Sequence, residues 1–453
     1  MIFLAHGLGG VRDLPVPAWL FFWGGAVVLV VSFVLLGALW RRPLLARLAG
    51  GRAAAGALSR LVLSRALRIV LQALSAGLFA LVLAAALAGD TDPFRNLAPT
   101  WIYVIFWLGV PFLSAVVGDV WRVLSPWRAI ADAAVWAWER SGREARPLAA
   151  YPERLGRWPA AVLLFAFAVL ELAYSDPSNP RALAFATALY SYMTWFGFVA
   201  FGRERWSERG EAFAVLFGLF ARIAPFVARE GRLVLRWPLT GLAGSESVPG
   251  TVAFLAVMLG TVGFDGFSRA STWQNLLADV EGPYVLENPG LADLLVSGVN
   301  LVGLLAFVAL VAGAYLLACA AARSMVGAPR SLVPDFLLGL VPIAFVYLVA
   351  HYFSLFVIQG QFAIPLLSDP LGKGWDLLGT AGYLPNLAPL SPNTTWYVQV
   401  GSLVAGHVAG LSVAHDRAVA LFRERDAALR SQYAMLALMV LLTVGGLWLL
   451  SRG

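Results

Sequence analysis

Ten apolar stretches, each close to the roughly 20 residues needed to cross a bilayer core, divide this sequence, and alternate gaps between them are loaded with arginine. The stretches fall near residues 17–40, 69–88, 101–120, 159–174, 182–201, 250–267, 292–319, 336–358, 396–415 and 433–450. In lipid, each segment must satisfy its own backbone hydrogen bonds, so such stretches become helices. The expected fold is therefore all-α: one transmembrane domain over 1–453, a polytopic bundle of about ten helices. Composition agrees, with 60% hydrophobic and 13% charged residues and a mean hydropathy of +0.76, where soluble domains are about a quarter charged.

The arginines orient the bundle. The gaps after stretches one, three, five, seven and nine hold 27 of the 33 basic residues, the exceptions being Arg12, Arg95, Arg181, Arg269, Lys373 and Arg452. Short loops rich in Lys and Arg stay in the cytoplasm, so both termini are expected outside. The same placement accounts for the net charge of +7 by orientation and leaves no basic patch that calls for nucleic acid. The lone cysteine, Cys319, rules out an internal disulfide or a CxxC site. Residues 1–10 are too short and lack the basic start of a signal peptide, so the first stretch is expected to act as its own insertion signal.

The outer gaps are mildly acidic, with Asp90, Asp92, Asp176, Asp279, Glu281, Glu287, Asp369 and Asp376 among their residues, a field that favours cations. Beyond the outer N-terminal segment 1–16, two outer loops are long, at 268–290 and 359–395. Loops of that length are usually functional or folded over something. On the cytoplasmic side, segments 120–157 and 203–249 each contain an amphipathic run. Trp121, Trp127, Trp136 and Trp138 sit among charges in the first, and Phe213, Leu216, Phe217, Phe220 and Ile223 recur at helical spacing in the second. Both are expected to lie as helices in the headgroup layer.

Ionisable groups inside spans are costly and mark sites by default. Glu171, Asp265, His351 and His407 all fall between mid-membrane and the outer end, whereas Asp119 and His415 sit at inner ends and are expected to be solvated. Stretches eight and nine are consecutive and antiparallel, so His351 and His407 are expected to be able to face each other. Two His and a carboxylate make an ordinary first shell for a catalytic metal, with His6 in His6-Gly7-Leu8-Gly9-Gly10 as a further candidate ligand. Asp265 lies in Gly263-Phe264-Asp265-Gly266, where the glycines are expected to be able to unwind the helix around a ligand or general base, and Glu171 is a candidate for the same catalytic role. Each residue also has a plainer reading: a packing histidine, a carboxylate reaching the surface, a turn residue. Gly401, Ala405 and Ala409, with Gly406 and Gly410, allow a close helix approach along stretch nine. No HExxH, Walker A or G-x-S-x-G motif occurs.

The run His6-Gly7-Leu8-Gly9-Gly10-Val11-Arg12-Asp13-Leu14-Pro15-Val16-Pro17, just before the first stretch, resembles the opening of bacterial membrane proteins labelled fenitrothion hydrolase-like. Ala350-His351-Tyr352-Phe353-Ser354 through Gln359-Gly360-Gln361 is similar to the same family, as is Gly406-His407-Val408-Ala409-Gly410 through Ala414-His415-Asp416-Arg417. The resemblance spans nearly the whole chain. It implies an all-helical fold in a bacterial cytoplasmic membrane and hydrolysis of an organophosphate triester.

Three functions fit these residues. The first is a metal-dependent hydrolase for an apolar, phosphotriester-like substrate, with zinc or copper on His351, His407, Asp265 and His6 and with Asp265 or Glu171 as base. The second is a transporter or metal-handling protein that uses the same residues as a transit site for a small molecule or metal ion from the outer side. The third is an accessory subunit of an electron-transfer complex, partnered by other membrane proteins, with haem b between His351 and His407.

Overall fold

The computed structural model describes residues 17–54 and 56–450. All ten stretches are helices long and apolar enough to cross a membrane: Trp19–Leu39, Gly56–Ala88, Leu97–Val117, Glu153–Leu172, Pro180–Phe201, Thr251–Ser268, Pro289–Val326, Val333–Ser368, Pro392–Leu421 and Arg425–Leu449, numbered spans one to ten. The chain is an all-α polytopic bundle. Several helices start on one device. In Ser125-Pro126, Asn179-Pro180, Asn288-Pro289 and Ser391-Pro392 a side-chain oxygen accepts from a free N–H of the first turn, and the proline occupies the first helical position, where its missing N–H costs nothing.

Spans six and eight form the axis of the bundle. Buried residues make up 78% of the apolar window of span six and 72% of that of span eight, against 11% for span seven, which faces outward. Span six packs on spans four, seven and eight, and span eight packs on spans three and nine. The small residues of span nine act as expected, although at particular positions. A Cβ on Gly406 would meet Val346 at 2.1 Å and one on Gly410 the Gly339 carbonyl at 2.6 Å, while Gly401 faces open space. Span three is unusual. Its outer half, Trp101–Gly109, is π-helical before α-helix resumes at Val110. Pro111 lacks the N–H that would close an α-turn on Trp107, and such wide turns recur at functional sites.

The arginine-rich layer departs from expectation in two places. Helix Pro126–Arg140 is amphipathic as expected. Trp136 and Trp138 are exposed, with the guanidinium groups of Arg140 and Arg143 at 5.3 and 4.6 Å from their ring centroids. The second segment is set deeper. Helix Ala212–Ala221 is enclosed by spans three, four and eight rather than lying at the interface. Its sequence AFAVLFGLFA has no polar face, and a helix apolar all round is buried. A small antiparallel sheet was also not foreseen. Strands β1 (Arg52–Ala53), β2 (Phe226–Arg229) and β3 (Arg232–Leu235) pair in the order β1-β3-β2. The β2–β3 hairpin turns on Glu230 and Gly231, at φ 48° and 71°, the double positive φ of a two-residue hairpin turn.

Both long outer loops are folded. The first holds helix Ser271–Glu281, which packs on span seven. Its Trp273 stands edge-on to Phe264 and donates through Nε1 to Asn300 at 2.9 Å, covering the outer end of span six. The second docks on the connection between spans two and three: Asp90 N–H donates to the Leu371 carbonyl at 2.8 Å, and Arg95 Nη2 donates to the Gly372 carbonyl at 3.2 Å.

Candidate functional site

The polar centre of the bundle is Asp265, which is 2% exposed one turn from the outer end of span six. Its Oδ2 lies 2.8 Å from Nε2 of His351 on span eight. Its Oδ1 accepts from Nη2 of Arg269 at 2.9 Å, an i,i+4 pair on its own helix. The ring of Tyr352 stands edge-on to that of His351, with centroids 4.6 Å apart, and its phenol is directed to the Asp265 carboxylate. Glu171, near the outer end of span four, lies within electrostatic reach of Asp265, Arg269 and Tyr103. Two buried atoms of the cluster, Glu171 Oε2 and Arg269 Nε, have no hydrogen-bond partner. Unsatisfied buried polar atoms are rare in native structures and call for a reason.

Three of the residues singled out from the sequence, Glu171, Asp265 and His351, therefore meet. The helix carrying Asp265 is not unwound, and α-helix runs unbroken over Thr251–Ser268. The glycines serve packing instead: a Cβ on Gly266 would stand 3.3 Å from the Leu449 Cβ and 3.7 Å from His351 Cε1, and one on Gly263 would stand 3.2 Å from Phe307. His407 is fully buried in span nine. Its Nδ1 lies 2.8 Å from the Leu403 carbonyl, and its ring lies beside Tyr347, one turn inward of His351 along span eight. His6 lies outside the described residues.

The donor set does not fit a metal. Among the described residues no three His, Cys, Asp or Glu side chains converge as a metal shell. His351 turns Nε2 toward Asp265, and Asp265 has one oxygen on His351 and the other on Arg269. The same commitment of His351 Nε2 counts against an axial haem ligand.

The inner side holds polar groups that sequence reasoning missed. His415 is buried rather than solvated, with Nδ1 3.0 Å from Gln432 Oε1 and Nε2 2.9 Å from the Trp40 carbonyl. Next to it, Asp416 accepts from Trp40 Nε1 and from the backbone N–H groups of Leu44 and Leu45. Asp335, whose side chain is fully buried, pairs with Arg417 at 2.6 Å and Arg330 at 2.8 Å. Glu246 pairs with Arg157 and Arg222 at 3.3 and 3.1 Å. Burial pushes the Glu246 carboxyl up, but the two guanidinium groups outweigh it and hold the group below the ordinary glutamate value. A cavity of about 390 Å³ on the arginine-rich side has Glu211, Arg157, Arg222 and Glu246 in its wall. A signal was present for Glu211, since an acidic residue directly before an apolar run is a helix-start pattern.

These observations define a multi-pass helical membrane protein with an Asp–His–Arg cluster built on one buried carboxylate between its two most enclosed helices. Comparisons with protein-family models, with curated proteins and with solved structures find no match for the chain.

Proposed function

We propose that this protein is a proton transporter of the bacterial cytoplasmic membrane and that the Asp265–His351 pair is its proton-binding site. The observation that carries the reading is the 2.8 Å contact between a buried carboxylate, Asp265, and the half-buried imidazole of His351 where spans six and eight meet, within electrostatic reach of Glu171, whose Oε2 has no hydrogen-bond partner. Carboxylate and imidazole chains inside spans are a usual means of proton transfer. Arg269 holds the Asp265 carboxylate against His351. Protonation of His351 adds a cation beside it, and protonation of Asp265 releases Arg269, so charge and geometry change together at the outer mouth. On the arginine-defined orientation this mouth opens outward, beneath helix Ser271–Glu281. The transported species is a proton admitted from that side.

The test uses purified full-length protein in liposomes that carry an internal pH-sensitive dye. An imposed pH gradient should dissipate through the wild type. Asp265→Asn should slow this by about a hundredfold, the scale of losing a positioned proton-transfer group. Wild-type vesicles no leakier than empty ones would end the proposal.

The Asp265–His351 contact also favours a second reading, which the family resemblance implies. A carboxylate hydrogen-bonded to an imidazole is the orienter-and-base half of a hydrolytic triad. On that reading His351 takes a proton from water that attacks an apolar phosphotriester. Release of the phenol from an aryl phosphotriester by wild type, and not by His351→Gln, would favour it over transport.

A further inference from the structure

The arginines around the 390 Å³ cavity are of two kinds. Arg157 and Arg222 share the buried carboxylate of Glu246 and belong to the fold. Glu211 is committed as well. It caps helix Ala212–Ala221 through the N–H groups of Phe213 and Ala214, and it accepts from the Tyr190 hydroxyl and Trp121 Nε1. Arg128 and Arg209 differ. Their side chains are only 12% and 15% exposed, yet the carboxylates that pair with them, Glu204 and Glu153, are 57% and 67% exposed. Arg122 also reaches Glu204, at 3.0 Å, so that each Glu204 oxygen takes one guanidinium group.

An ion pair with an exposed partner contributes at most about 1 kcal/mol, so another anion can exchange with Glu204 at little cost. Arg128 is held in the wall and stays. Glu204 thus marks where two oxygens of an oxyanion sit, between Arg122 and Arg128, in the charge-assisted geometry that guanidinium groups favour.

The surroundings suit an organic anion. The volume falls in the range of small-molecule pockets, about 300–1,000 Å³. Ser125, in the wall, caps the 15-residue helix Pro126–Arg140 and brings the positive end of its dipole to the cavity. Acceptors are short there, since Nε of Arg157, buried in the same wall, has no hydrogen-bond partner among the described residues. The remaining acids of the wall, Asp119 and Glu208, are exposed, and Glu208 turns to Arg205 at 3.6 Å. Val215 and Leu219 supply an apolar side.

We propose that this cavity binds a small organic oxyanion, whose phosphate or carboxylate group replaces Glu204 on Arg122 and Arg128 while its body lies against Val215 and Leu219. Glu204, released, turns to water. The site lies on the arginine-rich side, apart from the Asp265 cluster, and stands whether or not the protein moves protons.

The experiment is titration calorimetry on the full-length protein in phosphatidylcholine nanodiscs, with phenyl phosphate and benzoate as probes. Wild type should bind at least one of them saturably. Arg128→Gln should weaken that binding by about tenfold or more, the scale of a lost hydrogen bond to a charged group. Glu204→Gln removes the competing charge and should tighten binding severalfold, which a purely structural ion pair does not predict. Gly218→Leu leaves every charge in place. A Cβ there meets no atom within 4 Å, and leucine favours the helix over glycine, so the variant should fold, fill the cavity and abolish binding. It keeps the test decisive where Arg128→Gln does not fold. Repeating the titration in phosphatidylglycerol nanodiscs separates two sources of the anion: unchanged affinity assigns a soluble ligand, and competition assigns a lipid headgroup phosphate. The proposal is overturned if wild type binds neither probe saturably, or if Glu204→Gln and Gly218→Leu bind as wild type does.

Discussion

The two ends of the bundle handle buried charge in opposite ways. At the inner end each buried acid is matched several times over: Asp335 has Arg330 and Arg417, Glu246 has Arg157 and Arg222, and Asp416 has three N–H donors. At the outer end three spans bring Glu171, Asp265, Arg269 and His351 together, with Glu171 Oε2 and Arg269 Nε left unsatisfied. Both ends pay desolvation, but at the inner end each buried acid recovers it in ion pairs and hydrogen bonds, although Nε of Arg157 stays without a partner. Redundant pairing holds loops and helix ends together. A surplus of acceptors and donors among titratable groups permits a change of state. The inner network is therefore read as brace and the outer cluster as site.

The largest expected effect should fall on the brace. Asp335→Ala removes the counter-charge of Arg417 and Arg330; breaking a fully buried pair costs about 3–5 kcal/mol, and the partial exposure of the two arginines, 23% and 55%, places this loss below that range. Thermal unfolding in detergent should show a large drop in midpoint, while proton flux per folded molecule should hold. If flux falls in parallel with no loss of stability, the division between brace and site is wrong.

Asp265→Asn should show the reverse. The amide matches the carboxylate in size and can still bond His351 and Arg269, so stability should change by no more than about 1 kcal/mol, while flux is lost. A collapse in stability as large as that of Asp335→Ala would make Asp265 another brace.

Much of this division was legible in the sequence, and the reason is depth. Span length and the arginine alternation set how far each ionisable group sits from the surface, which was enough to bring Glu171, Asp265 and His351 to one level. Depth does not say which face of a helix a side chain occupies. His407, chosen on the same basis, faces Tyr347 and its own Leu403 carbonyl. Nor does depth reveal loops that fold back. His415 sits at the level expected, but Trp40 and the segment after span one close over it, across some 375 residues of sequence. Arg269 was set aside as an exception in an outer loop, yet the continuous helix of span six turns it back onto Asp265. Glu211 was hidden because a ten-residue apolar run is too short for a span and reads as an interfacial helix. Only packing between spans three, four and eight reveals it as an interior one.

The smallest effect tests the brace by acid. The Glu246 carboxyl is held below the ordinary glutamate value of 4.5 despite its burial, because Arg157 and Arg222 favour its charged form. A group depressed in the folded state contributes stability that is fully present above its unfolded pKa. That stability is lost as pH falls through the lower folded value. The unfolding midpoint of wild type should thus hold from neutral pH down toward the ordinary glutamate value and decline below it. Glu246→Gln, which keeps the volume and an acceptor but no charge, should begin lower and decline less, so that the two curves converge in acid. The effect should be smaller than that of Asp335→Ala because glutamine keeps the volume and an acceptor for the two guanidinium groups, where alanine removes the whole side chain. Proton flux, normalised to folded protein, should not follow this curve in either variant. If it does, the inner pairs belong to the proton pathway, and the cavity wall does more than hold the helix ends in place.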